Sequence, residues 1–373
     1  MTHSYDVAVI GAGAMGSAAA RALARSGREV LVLEQLGLGH DRGGSHGRTR
    51  IFRVGTEQTH YLEMAQQARS LWGELESELD TRLLTVTGAV EHGLGAGVIA
   101  DFSGLLTEHR VDHLVLDPGE ATTRWPGMRF EGPVLLQPGG AVIHADRVVA
   151  GLQRLARDAG ATFRTGVRVE QVTVDSDGDG VGLRAGDETI RARRLVVTAG
   201  PWTASLLAGV LTMPAITATQ EQPRLFEPRD PAHAWPCFVH WRHETGEWGR
   251  IESYGLLEDG TVKVGLHAGG VVVDPDHRDF LPEPRRDEVL RSYVRDWFPG
   301  LDADRSTAIS CVYDNTDNGD FVIDRVGPVT VAAGFNGEGF KFVPWVGELV
   351  RDLVLGVAEP PAIFTLARHR SAR

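Results

Sequence analysis

The stretch Asp6-Val7-Ala8-Val9-Ile10-Gly11-Ala12-Gly13-Ala14-Met15-Gly16 decides the fold. A short, partly β-branched apolar run leads directly into Gly-x-Gly-x-x-Gly, the pattern of a buried parallel strand turning into a helix. Ser17 to Ser26 are small or helix-favouring and run to Gly27, a natural C-cap. A second apolar strand, Glu29 to Leu33, ends on Glu34. Gly11 permits the tight turn, Gly13 lets the backbone approach a pyrophosphate, and Gly16 lets helix and strand pack closely. The helix N-terminus turns its N–H groups and positive dipole end toward the phosphates. Glu34 falls where a carboxylate accepts hydrogen bonds from the adenosine ribose hydroxyls and repels a 2′-phosphate. Strand, glycines, helix, second strand and terminal acid, in that order, predict an adenine dinucleotide. This unit alone leaves NAD and FAD both open.

The 373 residues suit two domains, or one large domain with an insertion. A net charge of −12 speaks against nucleic acid and against a membrane surface, since both favour a basic face. No apolar run approaches the roughly 18 residues of a membrane span. The first residues lack a basic and apolar leader. Two cysteines, Cys237 and Cys311, are too few for a disulfide framework. These features predict a cytoplasmic protein.

Outward from the first unit, Gly37 to Gly47 is a glycine-rich loop beside the dinucleotide site, and it predicts backbone packed against a cofactor. His46, Arg50 and Arg53 follow closely enough to line a cofactor or anion pocket. Tyr61 to Leu79 carries the apolar stripe of an amphipathic helix. From Leu83 to Asp117 the texture predicts short strands and turns, and helical texture returns at Ala145 to Ala159. A buried strand ends at Thr198-Ala199-Gly200, with Pro201 in the first turn of a helix. Further strands are expected around Phe238 and Val262, with a helix from Arg286 to Trp297. Val329 to Ala333 leads through a glycine turn, Gly334 to Gly339, into a helix from Pro344 to Leu355; the residues after Leu366 are expected to fray. The α/β pieces thus fall into 1–85, 145–215 and 305–373, and the β-rich insertions 86–144 and 216–304 are expected to form one second domain. The stretch Trp235 to Trp248, with Trp241 and His243, is rich in Trp and His. It reads as a core or surface cluster, or as a stretch that reshapes the pocket. The spacing of His240 and His243 suits a metal, but no further ligand cluster accompanies it, so none is expected.

The chain resembles the monomeric sarcosine oxidase and N-methyltryptophan oxidase family, within the wider D-amino-acid-oxidase-like flavoproteins. Besides the dinucleotide motif, the resemblance rests on Gly44-Ser45-His46-Gly47-x-Thr49-Arg50-Ile51-x-Arg53, Arg124-Trp125-Pro126-Gly127 and Ala199-Gly200-Pro201-Trp202. It continues through Val262-Lys263-Val264-Gly265-Leu266-His267, Cys311-Val312-Tyr313 and Ala333-Gly334-Phe335-x-Gly337-x-Gly339-Phe340-Lys341-Phe342. It implies a two-domain α/β flavoprotein: a Rossmann-type FAD-binding domain, a β-rich substrate domain, and the flavin between them. The implied protein is a monomer that oxidises the secondary amine of sarcosine or another N-methyl amino acid and reduces O2 to hydrogen peroxide. The alternative is an imine-forming oxidase of a cyclic or larger amino acid, such as a pipecolate-like or aromatic one.

The resemblance also implies roles for single residues. Gly11, Gly13, Gly16, Glu34 and Ser45 would hold the dinucleotide; Gly337, Gly339, Phe340 and Lys341 belong to the C-terminal turn that faces the flavin ring. Cys311 would carry FAD through a thioether, whereas Cys237 matches no functional position. His46 and Arg50 would support the flavin's electronics and attachment, because cations beside the ring favour negative charge on it. Lys263 would stand where reduced flavin meets oxygen. Arg53 and Lys341 would bind the substrate carboxylate, with His267, Tyr254 and Tyr313 near the amine. Asn336 and Glu338 depart from the Ser and His of the simplest sarcosine oxidase pattern.

Overall fold

The computed structural model describes residues 4–243 and 250–371, so Trp248 of the Trp-rich stretch lies outside the described residues. Strand β1 (Ser4–Ile10) lies between β2 (Val30–Glu34) and the strand Glu188–Val197, parallel to both. Thr162–Thr165 extends this sheet beside β2, and Val329–Ala333 extends it beside Glu188–Val197, again in parallel. Its central strands are apolar on both faces because both are covered. Val7, Val9, Val30, Val32 and Val196 face helix α1 (Ala14–Arg25), helix Ala145–Asp158 and helix Val343–Leu355. Ala8, Ile10, Leu31, Leu33 and Leu195 face a second core that includes Val172, Val181, Leu183 and Leu207. Small residues bring the helices close: a Cβ on Gly347 would stand 2.8 Å from the Ala18 Cβ.

A second eight-stranded sheet gathers Ala89–His92, Leu114–Leu116 and Val134–Gln137 together with Arg224–Pro228, Cys237–His243, Arg250–Glu258, Thr261–Leu266 and Leu301–Ala308. The two sequence segments meet where Cys237 to His240 run parallel to Ala89 to His92. Helix Pro284–Trp297 packs on this sheet through Leu290, Tyr293 and Val294. Two three-stranded sheets complete the fold: Thr49–Phe52 with Leu84–Val86 and Ala141–His144, and Ile216–Glu221 with Val271–Val272 and Cys311–Thr316.

The structure corrects two expectations. The stretch expected as strands and turns contains a helix, Ala96–Glu108. Gly97 and Gly104 weaken its local propensity, yet Ile99, Phe102 and Leu106 fall on one face and are buried with Leu62, Leu94 and Leu135. Tertiary packing overrides propensity there. The described residues after Leu366 are not frayed either: Leu366–Ser371 is helical, Leu366 is buried, and the His369 ring meets the Phe321 carbonyl at 3.0 Å.

The described part of the Trp- and His-rich stretch, Trp235 to Arg242, is largely interior. Trp235 is buried beside Phe298, and His240 stacks on His92 with ring centroids 3.9 Å apart. Among the described residues, no group of three or more His, Cys, Asp or Glu could hold a metal ion. Among them too, no helix is long and apolar enough to cross a membrane.

Candidate active site

Two cavities open along the edge of the first sheet and share Gly13, Ser45, Gly200 and Pro201, so they form one continuous trough. The first, about 540 Å³, is lined by the glycine turn, Glu34 and Ser45. Gly11 turns the chain at φ +98°, and a Cβ there would meet the Thr198 carbonyl oxygen at 2.5 Å. A Cβ on Gly13 would meet Ser45 Oγ at 2.9 Å, while one on Gly16 would enter the Gly11 carbonyl. Ser45 Oγ accepts from Ala14 N at 2.9 Å and so fastens the glycine-rich loop to the start of α1. Glu34 is buried and accepts from Ala12 N and Leu36 N, each at 2.9 Å. Burial pushes its carboxyl up, but His40 and these two N–H groups outweigh that and hold it below its ordinary value.

The second cavity, about 520 Å³, gathers the remaining sequence candidates. Arg50 donates to the carbonyls of Gly44, His46 and Thr49 at 2.7–2.9 Å, which fixes a cation at the cavity wall. Both ring nitrogens of His46 meet carbonyls at 2.7 Å, Nδ1 that of Gly43 and Nε2 that of Ser310. Burial, reinforced by Arg50 and Arg278, lowers its pKa despite these two acceptors. Cys311 lines the cavity on the strand paired with Ile216–Glu221. Cys237 does not line it: its thiol is fully buried, pushed up to about 12, and sits near Thr87 and the Ala141 carbonyl.

Lys263 lies in the interior of the second sheet, between Leu225 and Leu256 of the neighbouring strands, and is 5% exposed. Its Nζ donates to Thr49 O and Thr49 Oγ1, each at 2.8 Å, and to Glu258 Oε2 at 3.0 Å. Burial and Arg50 pull its pKa down while Glu258 opposes them. Glu258 is held low, because Lys263 and the Thr49 hydroxyl outweigh its own burial.

Arg53 and Lys341 both line this cavity, and each has a carboxylate neighbour: Glu91, which sequence reasoning missed, and Glu338 of the C-terminal turn. Arg53 Nη1 donates to Glu91 Oε1 at 2.8 Å and to the Gly55 carbonyl at 2.6 Å, while no hydrogen bond engages Nη2 among the described residues. Burial works against the guanidinium's charge, and Glu91 overcomes it, raising the Arg53 pKa. Lys341 Nζ is 3.4 Å from Glu338 Oε2; burial lowers its pKa and Glu338 only partly restores it. Glu338 also faces His267 Nε2 at 3.9 Å. Tyr313 packs against His267 with centroids 5.6 Å apart, and burial raises the phenol pKa of Tyr254 and Tyr313. Gly337 turns at φ +75°, and a Cβ there would strike the Tyr313 ring. Gly339, Phe340 and Lys341 begin the 3₁₀ turn that leads into helix Val343–Leu355. Asn336 builds the turn: its Oδ1 accepts from Thr316 N at 2.8 Å and its Nδ2 donates to the Gly334 carbonyl at 2.7 Å.

Sequence reasoning did not find Glu258, Glu91, Glu252 or Arg278. Glu258 had a readable signal: the Asp259-Gly260 turn sets a hairpin register with Leu256 opposite Lys263, which puts Glu258 on the lysine's face. Glu91 had none, since it reaches Arg53 from a strand paired in parallel with residues about 150 positions later.

The trough fits FAD. Its first half provides the Gly13 cradle, which a Cβ would fill, at a helix N-terminus. Its second half provides fixed cations and a cysteine around a space of similar size. Residues 6–353 match the family described as FAD dependent oxidoreductase. The chain is 33% identical to human peroxisomal sarcosine oxidase over 99% of this chain and 96% of that one. It is 30% identical to monomeric sarcosine oxidase of Bacillus sp. strain NS-129, over 99% and 98%. Among solved structures it is similar to NikD, an unusual amino acid oxidase essential for nikkomycin biosynthesis, with TM-score 0.86 and 26% identity over 97% and 96% of the two chains. The chain belongs to the DAO family of FAD-dependent oxidoreductases.

Proposed function

We propose that this protein oxidises the secondary amine of sarcosine or another N-methyl amino acid to an imine, with O2 reduced to hydrogen peroxide. The observation that carries this reading is the pair Arg53 and Lys341 on the same cavity as Arg50, Lys263 and Cys311. Bound FAD supplies the chemistry of accepting a hydride equivalent from the carbon beside nitrogen and passing the electrons to O2. Arg53, oriented through Nη1, offers Nη2 to the substrate carboxylate, and Lys341 offers a second cation. Charge-assisted bonds of this kind each contribute about 1.5–3 kcal/mol. The same cations disfavour a protonated amine, which keeps the nitrogen lone pair available. His267, Tyr254 and Tyr313 line the space around that nitrogen. Lys263 holds an ammonium where oxygen gains charge, already hydrogen-bonded, so no reorganisation accompanies the step. Water then hydrolyses the released imine; sarcosine gives glycine and formaldehyde.

In this reading FAD is joined to Cys311, the protein is a cytoplasmic monomer, and the FAD-binding domain comprises 1–85, 145–215 and 305–373, with 86–144 and 216–304 forming the substrate domain. A second reading, an oxidase of a cyclic or larger amino acid, is favoured by Glu338 beside Lys341 and His267. A peroxide assay over sarcosine, other N-methyl amino acids, N-methyltryptophan, proline and pipecolate tests both. Fastest turnover of an N-methyl amino acid supports the first reading. Turnover confined to proline or pipecolate supports the second, and turnover of none contradicts both.

A further inference from the structure

Arg278 takes no part in the proposed reaction, and among the described residues no ion pair accompanies its burial. It is 7% exposed, and its hydrogen bonds among those residues all go to neutral acceptors. Nε donates to Gln220 Oε1 at 3.1 Å and Nη1 to the Arg42 carbonyl at 3.0 Å. Nη2 donates to Ser310 Oγ at 2.7 Å and to the Cys311 carbonyl at 3.2 Å. Among the described residues no carboxylate pairs with it, although a buried charge ordinarily has a partner. The loop that carries it is anchored: Asp276 receives Arg168 Nη2 at 2.7 Å and Trp202 Nε1 at 2.9 Å, and its carbonyl accepts from Arg42 at 2.8 Å. From the other side His46 Nε2 meets the Ser310 carbonyl at 2.7 Å. The Ser310–Cys311 peptide is therefore held between an imidazole and an anchored guanidinium.

We propose that Arg278 is a positioning residue for attachment of the flavin to Cys311. It fixes the backbone that presents Sγ to the cavity, and it places a positive charge near the sulfur as the thiol proton leaves. The inference rests on the covalent reading of Cys311 given above. In the attachment, one carbon–sulfur bond replaces the S–H bond and one C–H bond of the flavin 8-methyl group. The two protons and two electrons released go to O2 as hydrogen peroxide. Other charged and titratable groups share this cavity with the thiol: Lys263 and Tyr254 from the second sheet, Tyr313 from its own strand, His46 from the glycine-rich loop and Arg50 from the strand Thr49–Phe52. Loss of Arg278 therefore slows attachment without abolishing it.

The test incubates flavin-free protein with FAD and follows flavin retained in the acid-precipitated pellet, with the protein mass as a second readout. Wild type gains one FAD, and Cys311→Ala gains none. Arg278→Gln, with an unchanged melting temperature and FAD still recovered from its supernatant, attaches about tenfold more slowly. Arg278→Lys, which restores the charge, recovers part of the loss; a purely structural residue shows no such recovery. If Arg278→Gln fails to fold, Ser310→Ala, which removes one Nη2 acceptor and leaves the charge, still slows attachment. Arg278→Gln, or failing that Ser310→Ala, attaching at the wild-type rate across pH overturns the proposal. A colourless wild-type pellet over a yellow supernatant overturns instead the covalent reading beneath it.

Discussion

Lys263 Nζ stands 3.0 Å from Glu258 Oε2 on one face of a hairpin, buried at the wall of the second cavity and bonded also to Thr49. The lysine is thus a held charge rather than a surface cation. Replacing Lys263 with Met removes the group that the proposed function assigns to oxygen, and removal of one such stabiliser lowers a rate by about 10²–10³. Stopped-flow reoxidation of the reduced protein by O2 is expected to slow by that factor, while anaerobic reduction by substrate changes far less. Equal slowing of both half-reactions contradicts this assignment.

The carboxylate of Glu258 opposes the lowering of that lysine's pKa by burial and by Arg50. In Glu258→Gln the burial and the Arg50 charge remain while the opposing charge is gone, so Lys263 loses its proton at lower pH than in wild type. The reoxidation rate of this variant is expected to fall with rising pH, over a range where wild type stays flat. A pH profile of the O2 reaction measures it.

In the proposed function Arg53 and Lys341 each supply the substrate a charge-assisted contact worth about 1.5–3 kcal/mol, and about 1.4 kcal/mol is tenfold in affinity. Arg53→Met and Lys341→Met are therefore each expected to weaken binding of a carboxylate-bearing substrate by about 10- to 100-fold. An amine of the same shape without the carboxylate should lose little. Substrate titrations of flavin absorbance under anaerobic conditions compare the two.

His92 and His240 stack at 3.9 Å, and both are 1% exposed. Burial pushes His92 down to about 3 from an ordinary 6.5. The neutral ring is the folded form, so its contribution to stability is complete above pH 6.5. Below that pH the unfolded chain takes up a proton that the folded chain refuses, and stability falls until about pH 3. Neither His92 nitrogen has a hydrogen-bond partner among the described residues. His92→Leu should therefore move the acid side of the melting-temperature profile to lower pH.

The dinucleotide unit was legible because each of its features is local. Strand, glycine turn, helix and terminal acid lie within Asp6 to Glu34; the Gly11 carbonyl leaves no room for a Cβ at Gly16, and the Ser45 hydroxyl crowds one at Gly13. The cationic half of the site was legible through motifs, and the structure brings Arg50, Arg53, Lys263, Cys311 and Lys341 to one cavity. Their counter-charges were harder to read. The counter-charge Glu91 and the further cation Arg278 reach the site through contacts far apart in sequence, and neither stands in a motif. The helix Ala96–Glu108 was hidden by its glycines, and only packing against Leu62 and Leu135 reveals why it forms. His369 belongs to a basic tail by sequence but to the interior by its contact with Phe321.

Anaerobic mixing of the flavin-loaded protein with sarcosine, followed by admission of O2, tests the central claim most directly. The account predicts that the oxidised-flavin absorbance is lost before oxygen enters and returns afterwards, with hydrogen peroxide formed in step with the flavin reoxidised. A flavin that dithionite bleaches, but that neither sarcosine nor any other secondary-amine amino acid reduces, would contradict it.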